Sequence, residues 1–235
     1  MRRSEFRNKT INTCLGFIAG YVDTLGFVAL FGLFTGHVTG NFVIIGSEMA
    51  QPHGGPLLLK FLAFPAFIFG VAFARIFIGS LLKREMHALW FAYLLQALLL
   101  AGFMILGYLA TPIGEAPSLM SELAGIVGAM AMGTHSGTGR LLLSHLAPTS
   151  MMTGNVTQLT IDSVDVLRGR ASDAVRERCF KFLWPVLAFG IGAIGAAFAY
   201  LYAGFPALLL PIAILIYLMT LERRMMRKGK HVNKA

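Results

Sequence analysis

The 235 residues predict an all-α membrane protein of about six transmembrane helices in two inverted three-span repeats, and three observations carry that reading. The chain is 56% hydrophobic and only 13% charged, where a soluble domain carries about 25% charge. Its lysines and arginines crowd some joints between apolar runs and are absent from others. A polar motif also occurs twice, each time just after a glycine-rich apolar run.

The apolar runs place spans at Ile11–Phe34, Leu57–Leu82, Ala88–Ala110, Leu123–Gly139, Phe182–Ala203 and Phe205–Leu221. Most approach the roughly 20 residues that cross hydrocarbon; the fourth and sixth are short. Trp90, Tyr93, Tyr108, Trp184, Tyr200 and Tyr202 fall towards span ends, where amphipathic rings meet the headgroups. The basic N-terminus with Arg2, Arg3, Arg7 and Lys9 resembles the start of a signal peptide. The apolar run behind it is too long for a signal core and lacks a small-residue cleavage site, so it reads as a retained first span. The whole chain reads as one membrane domain, with repeats at about 11–110 and 122–222 and a basic tail over 223–235.

Basic residues orient the spans. They occupy the N-terminus, Lys83–Arg84, the joint from Arg168 to Lys181, and the tail from Arg223 to Lys234. The joints Glu48–Pro56 and Thr111–Ser121 and the turn at Gly204 hold none. The excess of lysine and arginine on the cytoplasmic side then puts both termini inside a bacterial inner membrane. The net charge of +9 is thereby spent on topology rather than on a nucleic-acid surface. Cys14 and Cys179 fall beside these basic segments, where thiols stay reduced, and make no disulfide framework.

The repeated motif is the most specific signal. Thr35-Gly-His-Val-Thr39-Gly40-Asn41 leads to Glu48, and Thr149-Ser-Met-Met-Thr153-Gly154-Asn155 leads to Asp162 in the same register. The shared pattern T-x3-T-G-N-x6-[D/E] points to duplication. Three spans per half make the halves inverted, an architecture recurrent in secondary transporters. Each motif is too polar for a span and too apolar for a loop, so each is expected in a short re-entrant or interfacial helix, which membrane depth tolerates only beside protein or a wet cavity. Asparagine and threonine there either cap backbone or face a solute.

The stretch Ala19-Gly-Tyr-Val-Asp23-Thr-Leu-Gly-Phe27 running into the first motif, and Ala131-Met-Gly133 leading to the second, resemble the YoaK-like family of small bacterial membrane proteins. The resemblance covers nearly the whole chain. It implies an integral membrane protein and carries over no catalytic residue, because the family is a domain of unknown function. An amide is expected where His135 stands.

Ionisable residues inside apolar segments are functional candidates by default. Asp23 lies roughly 18 Å into the first span, with Arg75 of the second span as a candidate partner or a snorkelling cation. His37 and His135 flank the motif regions and titrate near neutrality when unperturbed. The Gly133–Gly139 run matches neither a nucleophile elbow nor a phosphate loop and reads as a close-packing helix segment. The expectation is a transporter-like, non-enzymatic protein without cofactor or metal, passing an unidentified small solute at the repeat interface. Asp23, Thr39, Asn41, Thr153 and Asn155 line its path, and Asp23 is its proton-coupling or solute-binding acid. Membrane lipids are its surroundings, and homo-oligomerisation is compatible with this reading. A non-transporting scaffold or accessory subunit is the alternative; a membrane enzyme using His135 and Ser136 is a weaker third.

Overall fold

The computed structural model describes residues 2–51 and 56–232. Pro52–Gly55, in the joint between the first two spans that holds no lysine or arginine, and Lys234 at the end of the basic tail lie outside them. The described residues form α1 (Arg2–Ala29), α2 (Val38–Met49), α3 (Leu57–Lys83), α4 (Ala88–Leu109), α5 (Leu119–Leu142), α6 (Met152–Leu167), α7 (Asp173–Ala203) and, after a single 3-10 turn at Phe205–Leu208, α8 (Leu209–Val232). The chain is an all-α membrane protein; among the described residues five helices are long and apolar enough to cross a membrane: α1, α3, α4, α7 and the 3-10 turn with α8.

Local chemistry sets the boundaries. Contrary to the expected span Ile11–Phe34, α1 stops at Ala29, because Phe31 and Gly32 turn left-handed at φ 54° and 72°. The Gly32 N–H then donates back to the Phe27 carbonyl at 3.0 Å, satisfying a helix-end acceptor as glycine C-caps do. At the other extreme, α5 is longer than the expected Leu123–Gly139. Ser118 accepts from the Ser121 N–H and Ser121 reciprocates, a capping box that starts the helix one turn early. Gly204, at φ 62°, ends α7 and allows the 3-10 turn before α8. The basic segment from 223 continues α8 as helix up to Val232.

Two parallel helix pairs form the core. Along α1 and α7, Asn12 donates to the Lys181 carbonyl, Gly16 lies on the Pro185 backbone and Gly20 on that of Phe189. Along α3 and α5, Gly133 lies on the Phe67 backbone and Gly137 on that of Val71. A β-carbon at Gly20 or Gly133 would overlap a carbonyl of the facing helix. The pairs are reciprocal: a G-x3-G step on the first long helix of each half packs against the third helix of the other. That step lets backbones approach closely where lipid supplies no hydrophobic drive between helices.

Leu30 and Leu33, just past α1, and Leu59, at the start of α3, meet at Gly125 of α5. The end of α1 therefore lies beside the start of α3, at the opposite end of the bundle from the start of α7. Helices α4 and α8 close the bundle antiparallel, with Phe205 on Gly107 at one end and Arg223 over Trp90 at the other. Outward faces are apolar, as Phe69, Phe73 and Ile76 on α3 and Ile191, Ile194 and Phe198 on α7 show. An apolar surface of that extent suits lipid, not water.

Candidate functional site

Both copies of the motif open a short helix, with Thr39, Gly40 and Asn41 in the first turn of α2 and Thr153, Gly154 and Asn155 in that of α6. Each asparagine is 1% exposed and reaches back seven residues. Asn41 clasps Phe34 with two bonds, Nδ2 donating to the carbonyl at 2.8 Å and Oδ1 accepting from the N–H at 2.9 Å. Asn155 donates to the Pro148 carbonyl at 2.6 Å. Its second bond is chemically impossible, because proline has no N–H.

The first threonine of each motif is buried and held by a titratable side chain of the preceding long helix. Thr35 Oγ1 donates to Asp23 Oδ1 at 3.4 Å. Thr149 Oγ1 lies 2.8 Å from His135 Nε2, and Gln96 Nε2 of α4 lies 3.0 Å from the other ring nitrogen. With that amide donating to Nδ1, the ring is neutral and Nε2–H donates to Thr149. The histidine is thus tied to an amide rather than replaced by one.

Asp23 does more than hold Thr35. Its Oδ1 accepts from the Gly36 N–H at 2.7 Å and the His37 N–H at 3.4 Å, and Oδ2 bonds His37 Nδ1. The carboxylate, 3% exposed, caps the start of α2 from a different helix, where unpaired N–H groups and the helix dipole favour negative charge. His37, half-buried, stacks its ring edge on Phe189 of α7 at 5.6 Å. Arg75 does not meet Asp23; it is exposed on α3 and makes no salt bridge to the described residues.

The acid ending each motif is clamped to the long helix that follows. Glu48 accepts from Lys60 Nζ of α3 at 2.8 Å, with the lysine side chain fully buried. Asp162 takes Arg178 of α7 in a two-bond fork at 2.7 and 2.8 Å, with Gln158 adding a third donor. That guanidinium holds the Asp162 carboxyl below the usual carboxylate range. One clamp lies at each end of the bundle.

The structure therefore unites Asp23, His37 and the first motif, and His135 with the second, but keeps the motifs apart. Asn41 and Asn155 spend their amides on their own loops, while Thr39 and Thr153 are exposed on helix surfaces. A family profile described as "Protein of unknown function (DUF1275)" matches residues 11–221, from within α1 to within α8. The chain belongs to the DUF1275 family. It is similar to the UPF0700 transmembrane protein YoaK of Bacillus subtilis (strain 168), 31% identical over 105 residues, which span 45% of this chain and 44% of that relative. No solved structure matches. The expected resemblance to YoaK-like proteins is thereby established.

Two hollows that share Asn12 and Leu146 in their walls lie at the end of the bundle where α1 and α7 start. The smaller, about 80 Å³, is walled by Asn12, Ser136, Arg140, Thr149 and Ser150 with apolar Leu15 and Leu146. The larger, about 740 Å³, is lined by Asn12 with Lys9, His145, Lys181 and Trp184. Asp23 lines neither. Among the described residues, no group of three or more histidine, cysteine or acidic side chains gathers to hold a metal.

Sequence reasoning missed Asn12, Lys60, Gln96 and Arg178. Lys60 was detectable as a cation a few residues inside an apolar helix, twelve positions after Glu48, since such a charge demands a partner. Asn12 and Gln96 carry no charge and sit in no motif, so only packing reveals them.

Proposed function

We propose that the chain is a small-solute transporter of a bacterial inner membrane, non-enzymatic, with both termini cytoplasmic. In this reading all six long helices span and the two halves are inverted repeats. The single observation that carries it is the reciprocity of the two motif units. Each ties its threonine to the preceding long helix, its asparagine to its own loop and its acid to the next long helix, and the acid clamps sit at opposite ends. Two such units, on helix pairs that pack each half's G-x3-G step on the other half, are the parts that alternating access needs. The clamps serve as the outer gate, Glu48–Lys60, and the inner gate, Asp162–Arg178. The hollows beside Asn12 belong to a form open to the cytoplasm. The short helices α2 and α6 are re-entrant, a reading supported for α2 by the packing of Thr35 against Gly128, ten residues into α5.

Asp23 is the coupling acid of this proposal, because its proton would decide whether α2 stays capped. One observation favours the alternative, a non-transporting scaffold: Asp23 already spends both oxygens on the motif loop.

A single cysteine at Thr35, in a chain with Cys14 and Cys179 replaced by serine, separates the two. A transporter exposes it intermittently to an impermeant thiol reagent added outside. A disulfide between cysteines at Glu48 and Lys60 then suppresses the labelling. With coupling, labelling changes with pH and loses that dependence in Asp23→Asn. A scaffold leaves position 35 unlabelled from both sides at every pH.

A further inference from the structure

The hollow beside Asn12 has features that the gate reading does not explain. Asn12 is 3% exposed, and its Nδ2 is spent on the Lys181 carbonyl, yet its Oδ1 has no hydrogen-bond partner among the described residues. A buried acceptor left unmatched costs about 1–3 kcal/mol, so a wall that keeps one has a use for a donor. Asn12 borders both hollows, so the orphan acceptor belongs to a side chain of the wall they share.

The rest of the wall states what else that ligand carries. Arg140 is the one charged residue lining the small chamber, and it makes no salt bridge to the described residues. No acidic side chain lines the chamber. The wider vestibule sets Lys9 and Lys181 against Glu5 and Glu177, with Arg178 already held by Asp162, so Arg140 is the charge left to meet an anion. Hydroxyls of Ser136 and Ser150, 3.2 Å apart, serve either as donors or as acceptors. Size sets the upper bound. One water needs roughly 10–15 Å³ of such space, so the 80 Å³ chamber takes about five heavy atoms.

We propose that this chamber binds a short carboxylate bearing a hydroxyl or amino group on the adjacent carbon, its carboxylate on Arg140 and its donor on Asn12 Oδ1. The proposal rests on the transporter reading only for its cytoplasmic placement. It names the solute class and adds Asn12 and Arg140 to the solute path. No bond is made or broken, and recognition is by charge and one matched donor.

Radiolabelled glycolate binding to the purified full chain in detergent tests it. Unlabelled glycolate or glycine should displace the label. Acetate, lacking the donor, and ethylene glycol, lacking the charge, should each need roughly tenfold more, the equivalent of one lost hydrogen bond. Arg140→Gln, at an exposed position, should weaken glycolate roughly tenfold. Asn12→Leu should erase the preference of glycolate over acetate; the competition series on the unaltered chain gives the same information if that variant does not fold. Equal displacement by acetate and glycolate, undiminished binding in Arg140→Gln, or no binding of either labelled glycolate or glycine would each overturn the assignment. Because this assay needs no transport, glycolate binding with position 35 unlabelled from outside would leave the chamber standing and remove only the transporter.

Discussion

Lys60 carries its ammonium into the protein with a side chain that shows no exposed surface, and Glu48 is the carboxylate that meets it. Taking such an ion out of water costs several kcal/mol, which only a well-placed counter-charge offsets. Removing one partner strands the other, typically at about 3–5 kcal/mol, whereas replacing both by apolar groups is often neutral. Lys60→Met and Glu48→Gln should therefore each lower the thermal unfolding midpoint of the detergent-solubilised protein sharply. The double replacement Lys60→Met with Glu48→Leu should recover most of the loss. If the double variant loses as much as the two singles together, the pair is not what holds α2 to α3. At this scale the sequence exposed the acids and hid their bases. Glu48 and Asp162 stood in the repeated motif, but Lys60 and Arg178 occupy different distances from them, twelve and sixteen residues. The linkers differ in length, so no fixed register could have linked them. Asp23 was legible because a carboxylate in an apolar run demands a partner. That the partner is His37, fourteen residues on, depended on the chain turning back at Phe31 and Gly32.

A helix can belong to a membrane bundle without being apolar, and α5 shows how. Half of its 24 residues are buried, among them Thr134, His135 and Thr138, against four of 31 in α7. A helix wrapped by α3 and α4 shows little surface to lipid, so it is free to carry polar side chains that bond its neighbours. That is why α5 is absent from the five helices apolar enough to cross alone. It is also why the apolar run underestimated its length. Glycine placement decides how closely these helices pack. A β-carbon at Gly20 would overlap the Phe189 carbonyl, while one at Gly190 meets nothing within 4 Å. Gly20→Ala should force α1 and α7 apart and lower the unfolding midpoint. Gly190→Ala, in the same helix pair, should be neutral or raise it, because alanine gains up to about 1 kcal/mol of helix propensity over glycine. Equal effects at the two positions would mean that close approach is not what Gly20 supplies. The glycine steps themselves were readable from sequence, but which helix each faced was not. Spacing says that a face is small, never what it meets.

For the molecule as a whole, the order of long helices followed from hydrophobic runs because lipid imposes one rule, that every backbone group be satisfied inside a helix. The pairing of α1 with α7 and of α3 with α5 could not follow from it, since those partners are distant in sequence and lipid favours no particular neighbour. The pairings are nonetheless what the proposed topology needs. Helices that pack in parallel must cross in the same direction. Spans one and five would both run outward, and two and four inward, as the placement of lysine and arginine requires. A disagreement between packing and charge would have appeared as an antiparallel pair, and none of the contacts along these four helices runs that way. The joint before α5 and the joint before α7 must then lie on opposite sides of the membrane. Single cysteines at Pro117 and Arg170, in a chain with Cys14 and Cys179 replaced by serine, report on them directly. An impermeant thiol reagent applied to intact cells should label position 117 and spare 170, and permeabilisation should make 170 reactive. Labelling at both positions in intact cells would mean that α5 and α6 do not return the chain to the cytoplasm. The second motif would then face the same side as the first, and the two acid clamps could not act as gates on opposite sides.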